Sequence, residues 1–106
     1  MNSRQKGKRG ELELAQELRK LGAQGVRRTQ QYCGRTGEAA DLTGIAGLHI
    51  ECKRVERLNI EDAMAQAVRD AAGEIPVVMH RKNRHEWLAT LRLEDFMAIY
   101  SRGNRQ

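Results

Sequence analysis

Asp41-Leu42-Thr43-Gly44-Ile45-Ala46-Gly47-Leu48-His49-Ile50-Glu51-Cys52-Lys53 has the pattern of two strands joined by a glycine-containing turn. From His49 to Lys53 polar and apolar residues alternate, the two-residue period of a strand, so Glu51 and Lys53 share one face while Ile50 and Cys52 point into a core. Asp41-Leu42-Thr43 reads as the preceding strand. With Ile45-Ala46-Gly47 as a three-residue hairpin loop, Gly47 takes the left-handed position, Leu42 pairs with Ile50, and Asp41 stands opposite Glu51. Cross-strand side chains lie about 5 Å apart at Cβ, which is repulsive for two bare carboxylates unless a cation lies between them or one holds a proton. The pair therefore asks for a metal. Oxygen donors from two carboxylates, a backbone carbonyl and waters suit magnesium or manganese better than zinc. Lys53, two residues on along the same face, could orient or activate an attacking water and offset charge in a phosphorane-like transition state. The competing reading is a solvated strand face on which Glu51 and Lys53 are a surface pair, since Glu-x-Lys alone is a common triplet.

The rest of the chain bears on that choice. At 106 residues it has room for one small domain with a modest core. Nineteen Lys and Arg against 14 Asp and Glu give a net charge of +5, which favours a polyanionic partner such as DNA or RNA. Aromatic residues make up 4% of the chain, which disfavours a base-stacking platform and leaves phosphate contacts as the mode of binding. Cys33 and Cys52 provide neither zinc-ligand spacing nor a disulfide framework. There is no apolar stretch long enough to span a membrane and no signal-peptide pattern, so a reducing cytoplasmic setting is the default.

Gly10 to Leu21 is predicted as a helix with Leu14, Leu18 and Leu21 on its apolar stripe and Gly22 as its stop. Glu11 falls on that stripe and needs a partner there, unless it merely occupies a first turn favoured by the helix dipole. Before it, Arg4, Lys6, Lys8 and Arg9 form a basic, flexible arm over about residues 1–9. Val26 to Thr29 reads as a first strand, followed by an irregular polar loop from Gln30 to Ala40 of the length that often carries function. After Lys53, Asn59 caps a helix from Ile60 to Ala72, whose alanine-rich stripe can pack on a sheet or on another subunit. Pro76 to Met79 and Glu86 to Leu91 read as strands around a basic turn from His80 to His85, with a short helix from Leu93 to Tyr100 and a polar tail.

The order helix, three strands, helix, two strands, with Glu11 on the first helix, Asp41 opening the second strand and Glu51-Cys52-Lys53 on the third, resembles the PD-(D/E)xK nuclease superfamily. Within it the chain is most similar to archaeal-type Holliday junction resolvases and their phage relatives, through Lys6-Gly7, Gly10-Glu11, Gly22 to Arg27, Asp41-Leu42, Ile50 to Lys53 and Gly73 to Val78. The resemblance covers about three quarters of the chain. It implies an α/β fold with a restriction-endonuclease-like core, a central mixed sheet flanked by helices in the order αβββαββ(α). It also implies a metal-dependent DNA endonuclease. Asp41, Glu51 and the main-chain carbonyl of Cys52 would bind magnesium, with manganese able to substitute. Lys53 would be the catalytic lysine, and Glu11 an additional acid acting through water or a second ion. Lys6, Lys8, Arg9, Arg27, Arg28, Thr29 and Arg35 would contact DNA, with Thr29 to Gly37 as an embracing loop. The expected partners are a four-way junction and a second copy of the chain.

Two positions depart from or extend that pattern. Ala40 replaces the proline of the superfamily's name. Gln66 sits where some superfamily nucleases place a glutamine near the substrate phosphate, although a solvent-facing helical Gln is the simpler reading. Two alternatives differ in class: a general or sequence-specific endonuclease on the same fold, and a non-catalytic basic DNA-binding module. The intact Asp41, Glu51 and Lys53 argue against the second.

Overall fold

The computed structural model describes residues 3–29 and 40–103, with side chains from residue 7 onward in the first helix. The elements are α1 (Ser3–Lys20), β1 (Arg27–Arg28), β2 (Leu42–Thr43), β3 (Leu48–Arg54), α2 (Ile60–Asp70), β4 (Ile75–Arg81), β5 (Leu88–Thr90) and α3 (Leu93–Gly103). This is the order the sequence predicts, closing helix included. The five strands lie side by side in chain order. Among the described residues only β3 and β4 run parallel, because α2 carries the chain back along the sheet before β4 begins; the other neighbours are antiparallel.

The hairpin between β2 and β3 has the predicted register, with Leu42 paired to Ile50, and Gly47 in its loop has φ +85°. Gly44 ends β2 at φ +112°, and a Cβ there would collide with the backbone of Gly25, so the close approach of β2 to the chain entering β1 requires glycine.

Each face of the sheet is covered by one helix. Leu14 and Ala15 of α1 pack with Val26, Leu42, Ile50, Val77 and Met79, while Ala63 and Ala67 of α2 pack on Val78. Ile50 pairs with Val77 and Glu51 with Val78, so alternate residues of β3 face the two helices in turn. Near its middle α1 lies tight against β3: a Cβ on Gly10 would stand 2.7 Å from Cβ of Arg54. Glu13 on the same helix ties the ends of both parallel strands, accepting from Arg54 at 2.9 Å and from Arg81 at 3.0 Å.

Several boundaries differ from the prediction. Helix α1 begins at Ser3 rather than Gly10, so the expected basic arm is helical from there; Lys, Arg and Gln are good helix formers, and Gly7 does not outweigh them. It ends at Lys20, leaving Leu21 exposed, because Ala23 N–H bonds back to the Leu18 carbonyl and closes the helix over Gly22. The Asn59 cap is present, its side chain accepting from Asp62 N–H at 3.0 Å, but α2 stops at Asp70 because Ala72 and Gly73 both adopt positive φ. Strand β4 continues through His80 and Arg81, absorbing part of the predicted basic turn. Packing of Ala63 and Ala67 on the sheet removes the alanine stripe as a surface for another subunit.

Candidate active site

Asp41 leaves the ladder just where β2 meets β3. Its N–H donates to the Ile50 carbonyl at 2.8 Å, although Ile50 already pairs with Leu42. Two residues of one strand thus face one of the other, the pattern of a bulge, so Asp41 does not stand squarely opposite Glu51 as the hairpin register predicts, and the bulge re-aims its side chain. The Asp41 carboxylate turns toward β3 and accepts from Cys52 N–H at 2.7 Å, replacing the backbone acceptor that a longer β2 would have supplied. It lies within reach of the Glu51 carboxyl. Burial pushes its pKa up to about 6, and the negative charge of Glu51 adds to that rise against the opposing Cys52 amide and Lys53 ammonium.

Glu51, also expected in the site, is buried and sits on the α2 face of β3. Its Oε2 lies 2.6 Å from Nε2 of His49, two residues earlier on that face and equally buried. Strand alternation by itself places His49 on a polar face, with no partner specified. A signal was present: β3 is a central strand flanked by a parallel neighbour, such strands are covered on both sides, and polar residues there must pair with one another. Lys53 follows on the same face, half-buried, and its charge acts on Asp41.

Glu11 comes to the site from α1. Because the helix starts at Ser3, Glu11 lies well inside it, which rules out the first-turn dipole as its role. It is half-buried and accepts from Arg28 Nε at 2.7 Å. Burial raises its pKa, the Arg28 hydrogen bond opposes the rise, and the nearby Asp41 charge adds to it. Asp41 is therefore the centre of three interacting carboxylates. Cys52 Sγ beneath them is inert: burial, reinforced by Asp41 and Glu11, pushes its thiol up to about 12.

The expected DNA-binding residues divide. Lys8, Arg9 and Arg27 are exposed, whereas Arg28 spends its guanidinium on Glu11. Thr29 is half-buried at the end of β1, its N–H bonded to the Asp41 carbonyl at 3.0 Å. The Lys6 side chain, Arg35 and the loop over residues 30–39, with Cys33, lie outside the described residues. Gln66 is exposed on α2, in keeping with the simpler reading of it.

The donors fit a hard divalent cation. In a strand the N–H and C=O of one residue point to the same neighbour, so the Cys52 carbonyl faces the edge where Cys52 N–H meets Asp41. Two carboxylates in mutual contact and one carbonyl at that edge form an oxygen-only set. Among the described residues no group of three or more His, Cys, Asp and Glu is gathered into a ready-made cage, so water or substrate oxygens would complete the coordination.

This geometry has known counterparts. The profile of the family described as "Phage putative PDDEXK endonuclease" matches residues 2–106. The chain belongs to that family. It is thus a nuclease of the PD-(D/E)xK type, as its resemblance implies. Among solved structures, this phage-type PD-(D/E)xK nuclease is similar to Hjc of Archaeoglobus fulgidus, a Holliday junction resolvase from an archaeal hyperthermophile. The similarity has a TM-score of 0.59 at 25% identity, over 80% of this chain and 76% of that one. No curated protein matches the chain. Among the described residues no helix is long and apolar enough to cross a membrane.

Proposed function

We propose that this nuclease is a magnesium-dependent endodeoxyribonuclease that cuts four-way DNA junctions as a homodimer, in the cytoplasm of the host cell. The observation that carries the reading is Asp41, held by the Cys52 amide against Glu51 and within the field of Lys53. Asp41, Glu51 and the Cys52 carbonyl would hold the ion, and manganese would serve in its place. When bound, it would polarise the scissile phosphate and lower the pKa of the attacking water. Lys53 stabilises the charge that develops on the phosphate. Glu11, oriented by Arg28, reaches the site through water or a second ion. Lys6, Lys8, Arg9, Arg27 and Arg35 grip phosphates around the cut, in keeping with the net charge of +5.

Junction preference is supported by the similarity to Hjc. The dimer has a candidate surface in α3. Leu93, Phe96, Met97 and Tyr100 follow the i, i+3, i+4, i+7 stripe of an amphipathic helix, all four are exposed, and no α3 residue is buried. A two-fold axis there would present two sites to two strands of a symmetric junction.

The test compares an immobile four-way junction with a matched linear duplex, in magnesium and in EDTA, for wild type, Asp41→Ala and Lys53→Met. Paired nicks in the junction that need magnesium and vanish in both variants are expected. Equal cutting of both substrates would overturn junction preference, and cutting in EDTA would overturn metal dependence.

A further inference from the structure

The parallel strands β3 and β4 end side by side at Arg54 and Arg81, and α2 starts close by at Ile60. In α/β sheets the carboxyl ends of parallel strands open a crevice in which ligands are bound. Here the crevice is a cavity of about 320 Å³, near the lower end of the usual range for small-molecule sites, about 300–1,000 Å³. Leu58, Ile60 and Leu88 form an apolar wall, and His80, Lys82 and His85 lie around it. Of its two acidic neighbours, Glu56 is already occupied, accepting from Asn83 N–H at 2.7 Å, and Glu86 is exposed to solvent. Lys82 and His85 are exposed.

The cavity is placed against the active site by register. His80 is the cross-strand partner of Lys53, so the two side chains share the α2 face and their strands are one spacing, about 4.8 Å, apart. A DNA strand whose scissile phosphate lies at Lys53 would thus carry its next nucleotide over the crevice. An intact duplex keeps its bases stacked, so it offers a protein surface its phosphates, sugars and base edges but not the face of a base. An aliphatic slot beside the Lys82 ammonium suits a nucleotide whose base has left the stack, with the base against the wall and the phosphate near Lys82.

We infer that this crevice receives one unstacked nucleotide of the DNA substrate, flanking the cleaved phosphate, and thereby favours branched or unpaired DNA over plain duplex. The inference rests on the nuclease reading of the site and names what determines its substrate choice. Leu88 is 56% exposed on β5. Its open side faces the crevice, where a base can cover it.

The experiment places 2-aminopurine, one position at a time, within three nucleotides of the cut in a four-way junction, bound to wild-type protein in EDTA. One position is expected to brighten severalfold over the free junction, and Leu88→Glu should abolish that brightening while anisotropy still reports binding. An abasic nucleotide at the same position, which leaves the protein unaltered, should weaken wild-type binding about tenfold, the scale of leaving roughly 50 Å² of apolar surface uncovered. No brightening at any position, brightening that survives Leu88→Glu, or an abasic junction bound as tightly as the intact one would each overturn the inference. Magnesium-dependent cutting of the same junctions separates the two readings. Cutting without brightening removes the crevice alone, and brightening without cutting removes the nuclease mechanism alone.

Discussion

Nε2 of His49 stands 2.6 Å from Oε2 of Glu51 in the buried face of β3, next to a second carboxylate at Asp41. The imidazole satisfies one oxygen of Glu51 and fixes its rotamer, leaving the other oxygen for the Asp41 side. Outer partners of this kind orient metal-binding groups and are costly to lose.

Replacing His49 by Phe keeps the ring but leaves a buried carboxylate oxygen without its donor. The cost is about 1–3 kcal/mol, or roughly 4–8 °C per kcal/mol of melting temperature for a domain of this size. His49→Gln, which can still donate, should recover much of it. Thermal melts of both variants check this; equal losses in the two would show that ring packing, not the hydrogen bond, is what matters. The magnesium concentration giving half-maximal cleavage should rise more in His49→Phe than in His49→Gln, a split that packing alone would not produce.

Asp41 destabilises the fold for the sake of the site. Its folded pKa, about 6, lies above the reference value of 3.8. The folded state therefore binds the proton more tightly, the stability contribution of the group is complete below 3.8, and it is lost as pH rises through about 6. Asp41→Asn should consequently raise the melting temperature by several degrees at pH 8 and by much less at pH 4, while abolishing cleavage. Magnesium should raise the melting temperature of wild type and leave that of Asp41→Asn unmoved. A uniform gain at both pH values would contradict the assignment of the cost to ionisation.

Arg28 and Arg27 are neighbours in sequence with different duties. Arg28 neutralises Glu11 at 2.7 Å, whereas Arg27 is exposed. Arg28→Ala should cost about 1–3 kcal/mol by leaving a half-buried carboxylate unpaired, with the salt dependence of DNA binding nearly unchanged. Arg27→Ala should instead leave stability alone and reduce the slope of log K against log salt by about one. Denaturant melts and binding titrations at several salt concentrations decide between these patterns.

The exposed stripe on α3 makes a clear prediction for assembly. Phe96→Lys puts a charge in its middle and should convert a dimer into a monomer with an unchanged circular dichroism spectrum, since Phe96 is 48% exposed and no α3 residue is buried. Sedimentation equilibrium measures it. A wild-type monomer at micromolar concentration, or a dimer that survives the substitution, would place the interface elsewhere or remove it.

The element order, the Leu42–Ile50 pairing, the Asn59 cap and the convergence of Asp41, Glu51 and Lys53 are all legible in the chain. These follow from local rules: a two-residue alternation, a glycine able to adopt positive φ, and a side chain able to cap a helix. Helix α1 was less legible. Its basic start looks like a solvated arm, yet its Lys, Arg and Gln are good helix formers, and they extend a helix that the packing of Leu14, Ala15 and Gly10 anchors on the sheet. Tertiary structure alone decided that Arg28 serves Glu11, that His49 serves Glu51, that the alanines of α2 are spent on Val78, and that a crevice opens beside Lys53. The physical reason is burial. A side chain's partner and charge cost depend on which distant residues exclude water from it, and strand order and helix placement, not sequence spacing, set that neighbourhood.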